Sequence, residues 1–130
     1  MSPALLRLLD ANANRAREGL RVIEDYARFV LNDAGLQGEL KSLRHDFAEA
    51  VKPYLSDAIL HRDTPGDVGT TATTASESRR EDFADLVVAA GKRLGEALRA
   101  IEEVLKTVPS STGVPPVSDG IRPSQLGRER

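Results

Sequence analysis

The chain has no cysteine and no tryptophan, and its only histidines are His45 and His61. Disulfides, thiolate metal sites and a cysteine nucleophile are therefore excluded, and a zinc centre of the usual kind lacks the imidazoles it needs. There is no surplus of positive charge either: 18 Lys and Arg face 20 Asp and Glu, a net charge of −2. Without a basic field, neither nucleic acid nor an anionic membrane is an expected partner. No apolar run approaches the roughly 20 residues that span a bilayer. Arg7 and Asp10 interrupt the leucines of the N-terminal segment, which rules against a signal-peptide core. The expectation is a cytoplasmic protein that crosses no membrane. What is present is ordinary for a folded domain: 130 residues, 40% hydrophobic and 29% charged, enough for one modest core.

Periodicity predicts an all-α fold, an antiparallel bundle of three long helices. Leu9, Ala13, Ala16, Leu20, Ile23, Ala27 and Val30 recur at spacings of three and four between Pro3 and about Leu31, the stripe of a core-facing helix. Asn32, Asp33 and Gly35 break it. A second stripe, Leu36, Leu40, Leu43, Phe47 and Val51, runs until Pro53 stops or kinks the chain. A brief helical turn is expected in 56–61, then a loop rich in Gly, Thr, Asp and Pro from Arg62 to Ala75. Ser78 and Glu81 have the spacing of a capping box, which opens a third helix through Phe83, Val87, Ala90, Leu94, Leu98, Ile101, Leu105 and Val108 to Pro109. Residues 1–108 are read as the domain. Residues 109–130, rich in Pro, Ser and Gly, are read as a disordered tail.

Residues 9–30 and 87–108 superpose with a constant offset of 78 (Glu96 minus Glu18). Ala11, Arg15, Glu18, Leu20, Arg21, Ile23, Glu24 and Val30 then meet identical residues, 8 of 22 positions, where chance would give about one or two, and the match reads as an internal repeat. Convergent use of good helix formers with salt-bridge spacing is the plainer account.

On the first helix, Asp10, Asn14, Arg17, Arg21, Glu24 and Arg28 share one side, which reads most simply as a solvated face. Asn12 and Arg15 flank the apolar arc beside Gly19, Val22 and Tyr26. A partly buried guanidinium there needs a partner, either a ligand or a carboxylate such as Glu18. Arg93 repeats Arg15, so two arginines are placed to share one site, and their forks suit phosphate oxygens. The segment 62–71 supplies glycines whose N–H groups can approach an anion, threonine hydroxyls, and carboxylates able to hold Mg²⁺. It is also ordinary turn chemistry. No Gly-x-x-x-x-Gly-Lys-Ser/Thr, Gly-x-Gly-x-x-Gly or Gly-x-Ser-x-Gly motif occurs.

The run Asp10-Ala-Asn12-Ala-Asn14-Arg15-Ala-Arg17-Glu18-Gly-Leu-Arg21-Val-Ile-Glu24-Asp25-Tyr26-Ala-Arg28-Phe29, with Arg62-Asp63 and Asp67-Val68-Gly69-Thr70 downstream, resembles the small monofunctional hydroxymethylpyrimidine phosphate kinases of bacterial thiamine synthesis. These occur alone or fused to thiamine phosphate synthase. The likeness covers about residues 5 to 106. It implies transfer of the γ-phosphoryl of ATP to 4-amino-5-hydroxymethyl-2-methylpyrimidine phosphate, with Mg²⁺. Chemical type then suggests roles: Asp63, Arg62 and Arg15 in catalysis, with Asp63 orienting the attacking oxygen, and Asp67 or Asp63 as metal ligand. Asn12, Asn14, Arg15, Glu18 and Arg93 would bind substrate, with Gly66, Gly69 and Thr70 as an anion cradle. Two departures stand out. The family carries an Asn where this chain has Ala90, and continues into another helix where this chain turns to Pro109. That leaves apolar surface for a second subunit, as in a homodimer, or for a synthase partner. The alternatives are a non-catalytic association or regulatory module beside a thiamine enzyme, and a helical mutase-like enzyme that binds a dicarboxylate through the same arginines.

Overall fold

The computed structural model describes residues 1–71 and 82–108. It is all-α, with three long helices and no strand among those residues. Helix α1 spans Pro3–Asp25, α2 spans Ala34–Leu55 and α3 spans Phe83–Leu105. Ser2 caps α1 by accepting the Leu5 N–H at 3.3 Å, with Pro3 at the first helical position, where a missing N–H costs nothing. Asp33 caps α2 at the Leu36 N–H, 2.9 Å. Asp82 caps α3, accepting the Asp85 N–H at 2.8 Å. Ser78, Glu81 and the tail 109–130 lie outside the described residues.

The first helix ends differently from expectation. After Asp25 it widens into a π turn, Tyr26–Val30, whose mark is the Leu31 N–H donating to the Tyr26 carbonyl at 3.0 Å. Asn32 then adopts φ 50°, and the Asp33 N–H returns to the Ala27 carbonyl at 3.0 Å, a Schellman-type close in which Asn tolerates the left-handed region. Gly35 lies inside α2 rather than breaking anything, and Pro53 does not stop that helix, which continues to Leu55. In the final turn, proline disturbs few hydrogen bonds, and exposed Glu49, whose carbonyl loses its donor, can turn to water. A 3₁₀ turn, Ala58–His61, fills the expected short helical segment.

Helix α1 is the centre of the molecule. Its residues Leu9, Ala13, Ala16, Leu20 and Ala27 are buried as the periodicity predicts. Leu9 and Ala13 pack with Val51 of α2 and Ile101 of α3, surrounded by Phe47, Tyr54, Leu55, Val104 and Leu105. Farther along, Gly19 lets α3 approach closely: a Cβ there would lie 2.9 Å from the Ala90 carbonyl oxygen and 3.1 Å from Leu94 Cβ. Both α2 and α3 therefore run antiparallel to α1. Five stripe positions depart from expectation: Val30, Leu36, Leu43, Phe83 and Leu98 are 51%, 38%, 54%, 67% and 41% exposed, because no described element covers them.

The solvated-face reading of Asp10 and Glu24 is overturned: they are only 8% and 4% exposed. Glu24 accepts from Arg44 Nε at 2.8 Å and from Gln37 at 3.3 Å, tying α1 to α2. The Arg44 hydrogen bond outweighs burial and holds the Glu24 carboxyl below the usual carboxylate range. Asp10 grips a residue 52 positions away, which leads to the site.

Candidate functional site

The 3₁₀ turn ends at His61 and delivers Arg62 against the first half of α1. Arg62 donates from Nε to Asp10 Oδ2 at 2.7 Å and from its second terminal nitrogen to Asp10 Oδ1 at 2.8 Å. This side-on bidentate fork is the strong form of the arginine–carboxylate bond. It raises the Arg62 pKa above its ordinary value, chiefly through those hydrogen bonds, so the guanidinium stays charged. The end-on edge, containing the other terminal nitrogen, has no partner among the described residues.

Beyond Arg62 the chain folds into two consecutive small turns. Asp63 accepts the Gly66 N–H at 2.9 Å and Asp67 accepts the Gly69 N–H at 2.8 Å, while the Thr70 hydroxyl donates to the Asp67 carbonyl at 3.0 Å. Side chains that bond their own backbone in this way define Asx turns. A Cβ on Gly66 would collide with the Asp63 carboxylate, so any other residue there would push that side chain out of its present position. The result is an open polar cleft of about 310 Å³ between α1 and the loop, lined by Arg7, Asp10, Ala11 and Asn14 on one side and Arg62, Asp63, Thr64 and Asp67 on the other.

The cleft thus unites Asn14, Arg62, Asp63 and Asp67 of the residues singled out from sequence. Gly66, Gly69 and Thr70 frame its loop, but the two glycine N–H groups already face carboxylates, so an anion would have to displace those to use them. The others, Asn12, Arg15, Glu18 and Arg93, do not line the cleft. Asn12 is buried and donates to the Leu8 carbonyl at 2.9 Å, and Arg15 donates to Asn12 Oδ1 at 3.5 Å. Arg93 reaches across from α3 to Glu18 at 3.1 Å, with its Nε buried and without a partner among the described residues. Neither Arg15 nor Arg93 lines the cleft. Asp10 and Arg7 were missed as site residues. Their spacing with Ala11 and Asn14 at i, i+3, i+4 and i+7 was the available signal, but it also describes a wet face.

The cleft lining carries two arginines and three aspartates, so its own charge is negative. Asp63 and Asp67 each keep one carboxylate oxygen outside their backbone hydrogen bonds. No group of three or more His, Asp or Glu side chains suited to a metal occurs among the described residues. Mg²⁺ takes as few as one or two protein carboxylates and completes its shell with water and substrate phosphates, so the donor chemistry of Asp63 and Asp67 would suit it. A second cavity, of about 300 Å³, lies toward the other end of α1 and is almost wholly apolar: Val22, Tyr26, Phe29 and Val30 face Phe83, Leu86 and Val87, with Asp25 at its edge. No helix among the described residues is long and apolar enough to cross a membrane.

A small all-α domain whose first helix and following loop enclose an arginine–aspartate cleft is the class of protein these features define. Residues 7–119 match the ThiD2 family, and the chain belongs to that family. It is 51% identical over 110 residues to the thiamine-phosphate synthase of Rhodopirellula baltica, an alignment covering 84% of this chain and 29% of the relative. It is 48% identical over 101 residues to that of a Synechocystis strain, covering 77% and 28%. A third relative, from Gloeobacter violaceus, is 40% identical over 104 residues, covering 80% and 30%. The kinship is with enzymes of thiamine synthesis, yet the chain spans less than a third of the length of these curated relatives. No solved structure matches it.

Proposed function

We propose that this chain is a phosphotransferase of thiamine synthesis, moving the γ-phosphoryl group of ATP onto 4-amino-5-hydroxymethyl-2-methylpyrimidine phosphate to give the diphosphate. The observation that carries the reading is the cleft, where a charged arginine fixed by Asp10 stands beside two aspartates that each keep one carboxylate oxygen outside their backbone hydrogen bonds. Phosphoryl transfer asks a protein mainly for positioning and for stabilisation of charge. An oxygen of the acceptor phosphate bonds to the γ-phosphorus as the bond to the β-phosphate oxygen breaks, and ADP leaves with that oxygen. The acceptor is already ionised near neutral pH, so Asp63 has only to orient it. Arg62 offers its free edge to the equatorial oxygens, and Asn14 a side-chain amide to the pyrimidine or a phosphate. Asp67, with Asp63, would hold Mg²⁺, which when bound offsets phosphate charge. Arg15, one turn along α1, extends the positive contacts.

Purified chain with ATP, Mg²⁺ and the pyrimidine monophosphate should release ADP and diphosphate in equal amounts. Absence of turnover, with no thermal shift on adding the monophosphate, overturns the reading. A second reading is a non-catalytic association module for a thiamine-phosphate synthase, as a second subunit or a fused neighbour. The open apolar cavity at Phe29 and Phe83 favours it, and it gains if the chain binds the synthase yet produces no ADP.

A further inference from the structure

We propose that Asp10 is the positioning residue of the cleft: by holding Arg62 side-on, it turns the guanidinium's end-on edge toward a bound phosphate or diphosphate. The inference rests on the cleft being an anion site, as proposed above, and adds a specific role for a residue outside the loop.

The argument starts from geometry. A guanidinium has two bidentate edges: the side-on edge is consumed by Asp10 at 2.7 and 2.8 Å, which leaves the end-on edge as the one arrangement still able to grip an anion through two parallel bonds. Asp10 is 8% exposed and its side chain is fixed on the first half of α1, whereas the Arg62 side chain is 49% exposed and stands on a loop. An arginine so placed would otherwise distribute over many rotamers and lose that freedom on binding. The buried carboxylate removes that cost in advance, since a rigid helix is a better platform than a loop for setting a donor's direction. Stability alone is a weak explanation, because the fork joins a half-exposed cation to the helix while Asp63 and Asp67 already build the loop. The fork also keeps Arg62 from turning onto those two aspartates, so their second oxygens, without a hydrogen-bond partner among the described residues, can face a cation.

The test uses inorganic pyrophosphate with Mg²⁺ as the probe, measured by titration calorimetry on wild type, R62A, isosteric D10N and the D10N/R62A double variant, with turnover measured alongside. R62A and D10N should each weaken pyrophosphate about tenfold, and the double variant no further than R62A, because Asp10 acts only through Arg62. Guanidinium ion below denaturing concentrations should restore binding to R62A, where Asp10 can recapture it, but not to D10N/R62A. A purely structural Asp10 would not produce that difference. D10N binding like wild type, losses that multiply in the double variant, or rescue equal in both backgrounds overturns the inference. So does equal binding, or equal failure to bind, by wild type and R62A. Should D10N not fold, rescue of R62A decides alone, and no rescue counts against the inference. Coupled binding without ADP production would instead remove the kinase reading and leave this one standing.

Discussion

Arg15 and Arg93 hold the same place in the two copies of the repeat, and so do Glu24 and Glu102, yet the copies do different work. Glu18 takes Arg93 at 3.1 Å; the offset of 78 carries that pair onto Glu96 and Arg15, where no ion pair forms and Arg15 turns to Asn12 instead. Glu24 is buried against Arg44 and Gln37, while Glu102 is exposed. Leu20 is buried and Leu98 is not. The cause is position. Helix α1 has α2 on one flank, α3 on another and the 62–71 segment along its first half, whereas α3 rests on α1 and meets α2 only where Ile101 and Leu105 approach Val51 and Tyr54. One sequence pattern supplies the same options twice, and the neighbours decide which are used.

The largest expected effect is on chemistry and falls on the α1 side alone. R62A and D67A should lower kcat/KM about a hundredfold, the size typical of losing one charge-stabilising group, with helical circular dichroism unchanged. R15A should cost about tenfold (about 1.4 kcal/mol), and more than R93A, since Glu18 already engages Arg93. An Arg15→Ala protein that fails to fold would make that residue structural.

Stability separates the copies next. E24A strands Arg44 and Gln37 and should destabilise the fold by about 2–3 kcal/mol, measured by urea unfolding, while E102A should leave the midpoint unmoved. The same pair distinguishes pH responses. Because the folded Glu24 carboxyl lies below its unfolded value, its contribution is complete above the unfolded pKa of about 4.3. It is lost as pH falls past that value and through the folded one. Wild type should therefore lose stability across that acid range more steeply than E24A, and E102A should track wild type.

The smallest effects concern glycine. G19A should cost about 1–2 kcal/mol, since the new methyl meets the Ala90 backbone carbonyl. G95A, where a Cβ meets nothing within 4 Å, should stabilise by about 0.5–1 kcal/mol through helix propensity. Thermal midpoints moving the same way for both would show that the α1–α3 contact is looser than described.

How far the sequence led follows the same line. Spacing alone located Leu9, Ala13, Ala16, Leu20 and Ala27 in the core and the loop at 62–71, because both signals are local. Asp10 and Glu24 were not legible: each lies among charged neighbours at helical spacing, and the partners that bury them stand 52 and 20 residues away. Leu43 and Leu98 satisfied the stripe but found no element to cover them. Pro53 reads as a stop or a kink in the sequence because its position in the last turn, where it is harmless, depends on where α2 ends. The loop's residue types were correctly picked out as polar and turn-forming, but not that Asp63 and Asp67 occupy the glycine N–H groups.

The most direct measurement of the central claim is paramagnetic broadening of backbone amide resonances by Mn²⁺ with ATP, Mn²⁺ standing in for Mg²⁺. Amides of residues 62–70 and of Asn14 should broaden first, with those around Phe29 and Val87 untouched. Broadening centred on Arg93 or on the apolar cavity, with 62–70 unaffected, would contradict the account.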